Sequence, residues 1–282
     1  IAEILAVPAP AAPADAVRPA AVRGEVEFRD VWFRYPGTAY DALRGVSFRI
    51  PAGTTAALVG PTGSGKSTVA ALLARVYEPT AGEILVDGVP VERLDARALR
   101  AAIGFVPQEA FVFSETVEEN IAFGLAPEAV DRGRVRAAAA VARLEEVIAG
   151  LPAGYQTRVG ERGVTLSGGQ RQRVTLARAL ARDPRILVLD DALSAVDTHT
   201  EAEILAGLRG ALAGRTVLVI SHRASAVAGA DQILVLEAGR IVERGTHGEL
   251  LARGGVYAAL VRRQVLEEAL EGAEPEWPAA AA

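Results

Sequence analysis

The chain has 282 residues, half of them hydrophobic and many of those Ala or Val, with 30 Lys and Arg against 35 Asp and Glu for a net charge of −5. That length fits one large domain or two small ones, and the mildly acidic balance argues against nucleic acid as a main partner, because duplex binding leaves a basic footprint. There is no Cys, which excludes disulfides and thiolate metal sites; no apolar run reaches the ~20 residues that span a bilayer, and no signal-peptide pattern is present.

The chain starts at Ile1 without Met, as expected of a fragment or a processed form. Residues 1–24 read as a linker: "PAPAAPADAVRPAAV" is rich in Pro and Ala with no amphipathic period. "EVEFRDVWFRY" alternates and is rich in Val and aromatics, so a strand is expected, followed by further strands at "GVSFRI" and "TTAALVG". "KSTVAALLARVY" is a helix ended by Pro79; "GEILVDG" and "IGFVP" are short strands. Residues 126–150 should be mostly helical, as should 169–182, stopped by Pro184. "ILVLD", "TVLVI" and "QILVLE" are short apolar runs between helices, the pattern of parallel strands buried on both faces. "GGVYAALVRRQVLEEAL" is a C-terminal helix, and residues 271–282 are expected to be a disordered tail.

Two stretches carry the first chemistry. "GPTGSGKST" (Gly60, Pro61, Thr62, Gly63, Ser64, Gly65, Lys66, Ser67, Thr68) fits G-x-x-x-x-G-K-[ST] between an apolar strand and a helix, the context this phosphate-binding loop requires. Its glycines let backbone N–H groups curl around phosphate oxygens, and the helix N-terminus adds a positive dipole end. Lys66 is the chain's only Lys; elsewhere the bias has put Arg, so a compact point charge is wanted at this position. It would reach the outer phosphates, while Ser67 and Asp190, at the end of "RILVLD", would hold Mg²⁺. "LSGGQRQR" then offers a second anion site at a helix start, through Ser167, Gly168 and Gly169. It reads equally as a capping box of Ser167 with Gln170, and the two roles are compatible.

In this order and spacing the phosphate loop, "LSGGQ", "ILVLDD" and "SAVD" resemble the ATPase domain of ABC transporters, over about residues 25–264. The resemblance implies an α/β fold: an ABC-type P-loop ATPase with a RecA-like core, an antiparallel β-subdomain and a helical signature subdomain near 109–182, within a domain at 25–270. It also implies ATP and Mg²⁺. Tyr35 matches the aromatic that stacks on adenine, and could instead be a strand-end core aromatic. Gln108 in "FVPQ" matches the residue that reaches Mg²⁺ and senses the transmembrane domain. Asp197 matches an acid at the dimer interface, and could simply cap a helix. His222 in "VISHR" matches the histidine that touches the γ-phosphate. Residues Ser167, Gly168, Gly169 and Gln170 would contact the ATP held by a partner. His199 and His247 match nothing and read as surface residues.

"TRVGERG" resembles the exporter segment that contacts the transmembrane domain, here Val159, Gly160, Glu161 and Arg162; with "IAEIL" resembling the end of a fused helix, this favours an exporter. In exporters the residue after the Mg²⁺-binding acid is usually Glu, which polarises the attacking water; here it is Asp191. The charge is kept, but the carboxylate sits one methylene closer to its backbone, and a general base must lie within hydrogen-bond reach of its water. The match is to the slow-site subunit of heterodimeric bacterial multidrug-type exporters, whose intact "LSGGQ" completes a partner's site. A homodimer with a weak Asp base is the alternative. A non-transport ABC ATPase fits less well, since no long coiled-coil insertion separates Ser67 from Ser167. The expected setting is the cytoplasmic face of the cell membrane, beside a second ATPase domain and a fused or associated transmembrane domain.

Overall fold

Alternating apolar residues from Val26 to Phe33 form strand β1 (Val26–Phe33), and the alternation breaks where a bulge at Asp30, with φ of 47°, resets the buried face. The computed structural model describes residues 16–19, 21–125, 130–160 and 163–271. β1 pairs antiparallel with β2 (Leu43–Ile50) and β4 (Ala81–Val86), and β5 (Val89–Pro90) closes a four-stranded sheet of order β2-β1-β4-β5.

The second sheet has the order β10 (Arg240–Gly245), β9 (Gln232–Glu237), β3 (Thr55–Val59), β8 (Thr216–Ile220), β7 (Ile186–Asp190) and β6 (Ile103–Val106). All its pairings are parallel except β10 on β9. The short apolar runs are thus buried on both faces, as expected. The two-residue period of a strand sorts them: Ala56 and Leu58, with Ile186 and Val188, face the core shared with the antiparallel sheet. Ala57 and Val59, with Leu187 and Leu189, face the core on the helical side.

The helices are α1 (Lys66–Leu73), α2 (Ala96–Ala102), α3 (Val117–Ala122), α4 (Arg132–Val141), α5 (Glu145–Ala149), α6 (Gly168–Ala181), α7 (Thr198–Ala211), α8 (Ala224–Val227), α9 (His247–Arg253) and α10 (Val256–Glu271). The segment 109–182 carries α3, α4, α5 and α6, with α3 and α4 packed on α6. Arg178 of α6 fastens it, donating to the carbonyl oxygens of Asn120 and Phe111 at 2.8 and 2.9 Å, and burial pushes its pKa down to about 10. The expected helix at 126–150 is two helices broken at Arg143, whose φ is 54°; residues 126–129 lie outside the described residues. The sequence reading assigns neither β10 nor α7.

The stretch read as a linker is joined to the domain from Val17 onward. Val17 forms a parallel bridge with Leu94, donating to Arg93 O at 2.8 Å and accepting from Asp95 N at 3.0 Å. Arg18 pairs with Asp95 at 3.1 Å, and the backbone N–H groups of Arg23, Gly24 and Glu25 converge on the Asp87 carboxylate. Residues 1–15 and the tail from 272 lie outside the described residues.

Candidate nucleotide site

β3 ends at Val59 and the chain turns through the phosphate loop into α1. The turn needs glycine. Gly60 has φ of 151°, and a Cβ there would lie 2.0 Å from the Leu236 carbonyl oxygen; Gly65, with φ of 106°, would meet Ala42 O at 2.7 Å. Gly65 is also the N-cap of α1, with no side-chain hydrogen bond capping the helix and no acid in its first turn. The leading N–H groups of α1 therefore face the loop without a side chain of their own helix capping them.

Lys66 is buried, and its ammonium donates to the carbonyl oxygens of Gly60 at 2.8 Å and Pro61 at 2.9 Å. Burial lowers its pKa, opposed by the charges of Asp191 and Asp190. Ser67 donates to Asp190 Oδ1 at 3.0 Å, across 123 positions of sequence. Burial raises the Asp190 pKa, and the bond from Ser67 holds it back. A hydroxyl and a carboxylate are hard oxygen donors that suit Mg²⁺. Among the described residues no cluster of three or more His, Cys, Asp or Glu could hold a metal.

Asp191 is buried, with φ of 46°, a left-handed conformation that Asp tolerates better than most residues. From there its Oδ2 reaches His222 Nε2 at 3.1 Å and its Oδ1 accepts from the His222 backbone N–H at 3.3 Å. The short side chain is thus held by the histidine through both oxygens. Tyr35 is half-buried: its hydroxyl lies 3.0 Å from Thr68 Oγ1, and its ring meets Phe33 and Tyr77 edge-on at centroid distances of 4.8 and 5.3 Å. The core-aromatic packing of Tyr35 does not take it out of the site: it also lines a cleft of about 440 Å³ with Thr62, Gly63, Gly65, Lys66, Ser67, Thr68, Gln108, Asp191 and His222. Tyr40, 64% exposed at the same cleft, is an aromatic that the sequence reading missed; its one signal is an aromatic in a polar turn.

The remaining expected residues lie elsewhere. Ser167, Gly168, Gly169 and Gln170 do not line this cleft. Ser167 caps α6 in a closed box: its hydroxyl accepts from Gln170 N at 3.2 Å, and Gln170 Oε1 accepts from Ser167 N at 2.9 Å. Asp197 caps α7, accepting from Thr200 N at 2.8 Å, a bond that lowers its pKa. Val159 is buried and bridged to Val164, and Gly160 has φ of 93° in the turn that follows. Glu161 and Arg162 lie outside the described residues, as does the side chain of His199. His247 departs from the expectation of a surface residue: it is half-buried, with Nδ1 2.7 Å from the hydroxyl of buried Tyr257. Sequence reasoning also passed over Gln172 and Arg223, which grip the segment after Asp191; a polar residue in "QRQR" carries no signal that it is buried.

A family model described as "ABC transporter" matches residues 43–194. The chain is 53% identical over 86% of its length to a mitochondrial potassium channel ATP-binding subunit of Xenopus tropicalis, covering 35% of that protein. It is 48% identical over 92% of its length to an ATP-dependent lipid A-core flippase of Burkholderia orbicola, covering 44% of it. A solved bacterial Atm1-family ABC exporter with ATP bound superposes with a TM-score of 0.84 at 46% identity, over 91% of this chain and 44% of that one. The chain therefore spans less than half the length of each of these proteins.

Proposed function

The chain belongs to the ABC transporter family, with the α/β fold of that family's ATPase domains, and on that premise we propose that it binds and hydrolyses ATP to drive export, in a head-to-tail pair with a second ATPase domain. The observation that carries this reading is the cleft where Lys66, Ser67, Gln108, Asp191 and His222 converge beside the uncapped start of α1. ATP would lay its outer phosphates on those N–H groups, and the Lys66 ammonium would exchange two loop carbonyls for phosphate oxygens. Ser67, Asp190 and Gln108 would hold Mg²⁺, which would neutralise charge on the outer phosphates. Tyr35 would stack on adenine. His222 would touch the γ-phosphate, and Asp191 would accept the proton of the attacking water.

Asp191 is a short base already engaged by His222, which supports slow hydrolysis at this chain's own site. Ser167, Gly168, Gly169 and Gln170 form an intact anion-facing helix start that would complete the partner's site, with Asp197 at the interface between the two. The partner would then be a different chain. The homodimer reading is favoured by one observation, that the phosphate loop, His222 and signature are all present in a single chain. Gln108 and the turn at Val159, Gly160, Glu161 and Arg162 would meet a transmembrane domain at the cytoplasmic face of the membrane. No helix of the described residues is long and apolar enough to cross a membrane, so that domain would belong to sequence outside this chain. The likeness to a flippase and to an exporter supports export.

The test is steady-state ATPase of the assembled transporter. Gly168→Glu should stop turnover, because it puts a charged side chain where a partner's phosphate must approach a backbone N–H. Asp191→Asn should leave most of it. Loss of turnover by Asp191→Asn would remove the slow-site reading in favour of the homodimer.

A further inference from the structure

The segment 191–197 joins β7 to α7 and carries Asp191 at one end and Asp197 at the other. Two side chains from elsewhere in the fold grip it. Gln172 of α6 is 4% exposed and uses both ends of its amide. Its Oε1 accepts from Ala195 N at 2.9 Å, and its Nε2 donates to Ser194 Oγ at 3.0 Å and lies 3.5 Å from the Asp191 carbonyl oxygen. The orientation of the amide follows from its partners, because the Ala195 N–H requires an oxygen opposite it. Arg223, the neighbour of His222, donates to the carbonyl oxygens of Ser194 and Val196 at 3.1 Å each and pairs with the buried Glu201 of α7. The signature glycines lie on the same segment. A Cβ on Gly169 would come 2.6 Å from Ala195 O, and one on Gly168 would touch Ala195 Cβ at 3.4 Å.

We propose that Gln172 is a positioning residue that locks the signature helix to the segment bearing Asp191 and Asp197, so that ATP contacting this chain's Ser167 and Gly168 is felt at its own acid and histidine. The proposal rests on the function proposed above. A phosphate drawing the start of α6 toward the partner would act on Ala195 through Gly169 and Gln172, and close-packed contacts of this kind transmit displacement rather than absorb it. Arg223 carries the other half of the connection, from the carbonyl groups of Ser194 and Val196 on the same segment to the loop of His222. The acid at the far end is itself bonded to that histidine at 3.1 Å. The two ends of the chain that face nucleotide are thereby joined through one buried amide.

The experiment uses the full transporter with its partner, reconstituted in lipid, and records ATP turnover against MgATP concentration. Gln172→Leu keeps the bulk and removes both hydrogen-bonding ends. It should lower kcat about fivefold or more with KM within about twofold of the parent, since the lesion is in coupling rather than binding. Gln172→Glu should restore most of the loss, because a carboxylate still accepts from the Ala195 N–H and the Ser194 hydroxyl. Ser194→Ala, at an exposed position, should lower kcat in the same direction without threatening the fold. A smaller fall in kcat for Gln172→Leu overturns the proposal, as does an equal loss in Leu and Glu variants with KM raised in both. If Gln172→Leu does not assemble, unchanged kcat in Ser194→Ala overturns it. Gly168→Glu in the same assembly separates the two readings: normal turnover there would bring down the proposed function itself, whereas lost turnover beside an active Gln172→Leu would remove only the clamp.

Discussion

The two helix starts proposed to meet phosphate, those of α1 and α6, are built in opposite ways. The start of α1 has Gly65 as its cap and no side-chain hydrogen bond, whereas the start of α6 is closed by Ser167 and Gln170. The first is held open by a glycine-rich turn that only backbone without Cβ can follow. The second satisfies its own N–H groups until something better arrives. The contrast sharpens beside α3 and α9, which use the same box with an acid in the third position, Thr116 with Glu119 and Thr246 with Glu249. A carboxylate completes a cap well because it favours the helix dipole. It would also repel a phosphate. Gln170 in place of Glu keeps the hydrogen bonds and omits the charge, so α6 can cap itself and still accept an anion.

The largest expected effect is at the open end. Gly60→Ala should abolish MgATP binding and cost ~3 kcal/mol or more of stability, because the new methyl would collide with the Leu236 carbonyl oxygen at a φ that L residues rarely adopt. Calorimetric unfolding and nucleotide titration would check it. Survival of binding would mean that the loop is not held as described.

Gln170→Glu tests the closed end. It should leave the thermal midpoint of the chain unchanged or slightly raised, since an acid suits this cap position. In the assembled transporter it should lower turnover by about tenfold, the order expected when repulsion replaces a charge-assisted hydrogen bond to phosphate. Equal turnover would show that the charge of this box is immaterial.

A smaller effect separates the caps by pH. Hydrogen bonds from Thr116 lower the pKa of Glu119, and backbone hydrogen bonds lower those of Glu249 and Asp197. Groups with depressed folded values add stability that is complete above the ordinary values, 4.5 for Glu and 3.8 for Asp, and is lost as pH falls through the depressed ones. Asp190 works in the opposite sense: its raised pKa adds stability below the ordinary value, lost as pH rises through the raised one. On acidification the first turns of α3, α7 and α9 should therefore lose amide-exchange protection before that of α6, whose cap does not titrate. Simultaneous loss would contradict the distinction.

The motifs are legible because each is local. The phosphate loop, the signature and the acid pair announce themselves by spacing, and the two-faced strands by unbroken apolar runs. What joins them is not legible. Ser67 and Asp190 meet across 123 positions, and Asp191 meets His222 across 31, so each residue is visible alone while the pair is not. The break at Arg143 carries no Gly or Pro to mark it; its carbonyl oxygen accepts from Arg173 of α6 at 2.7 Å and the next residue, Leu144, is buried, contacts that the local sequence does not announce. β10 alternates half-buried with exposed residues and places polar side chains in both sets, which hides its period. Val17 reads as linker in the sequence because a backbone bridge needs no side-chain pattern.

The most direct measurement of the account is one titration series of a fluorescent MgATP analogue against the isolated chain in three forms: parent, Lys66→Ala and Gly168→Glu. The account predicts that Lys66→Ala weakens binding by about ten- to a hundredfold, the range for a hydrogen bond from a charged group, while Gly168→Glu stays within about twofold of the parent. Binding unaffected by Lys66→Ala, or weakened as much by Gly168→Glu, would contradict the division of this chain into an end that holds its own nucleotide and an end that serves another's.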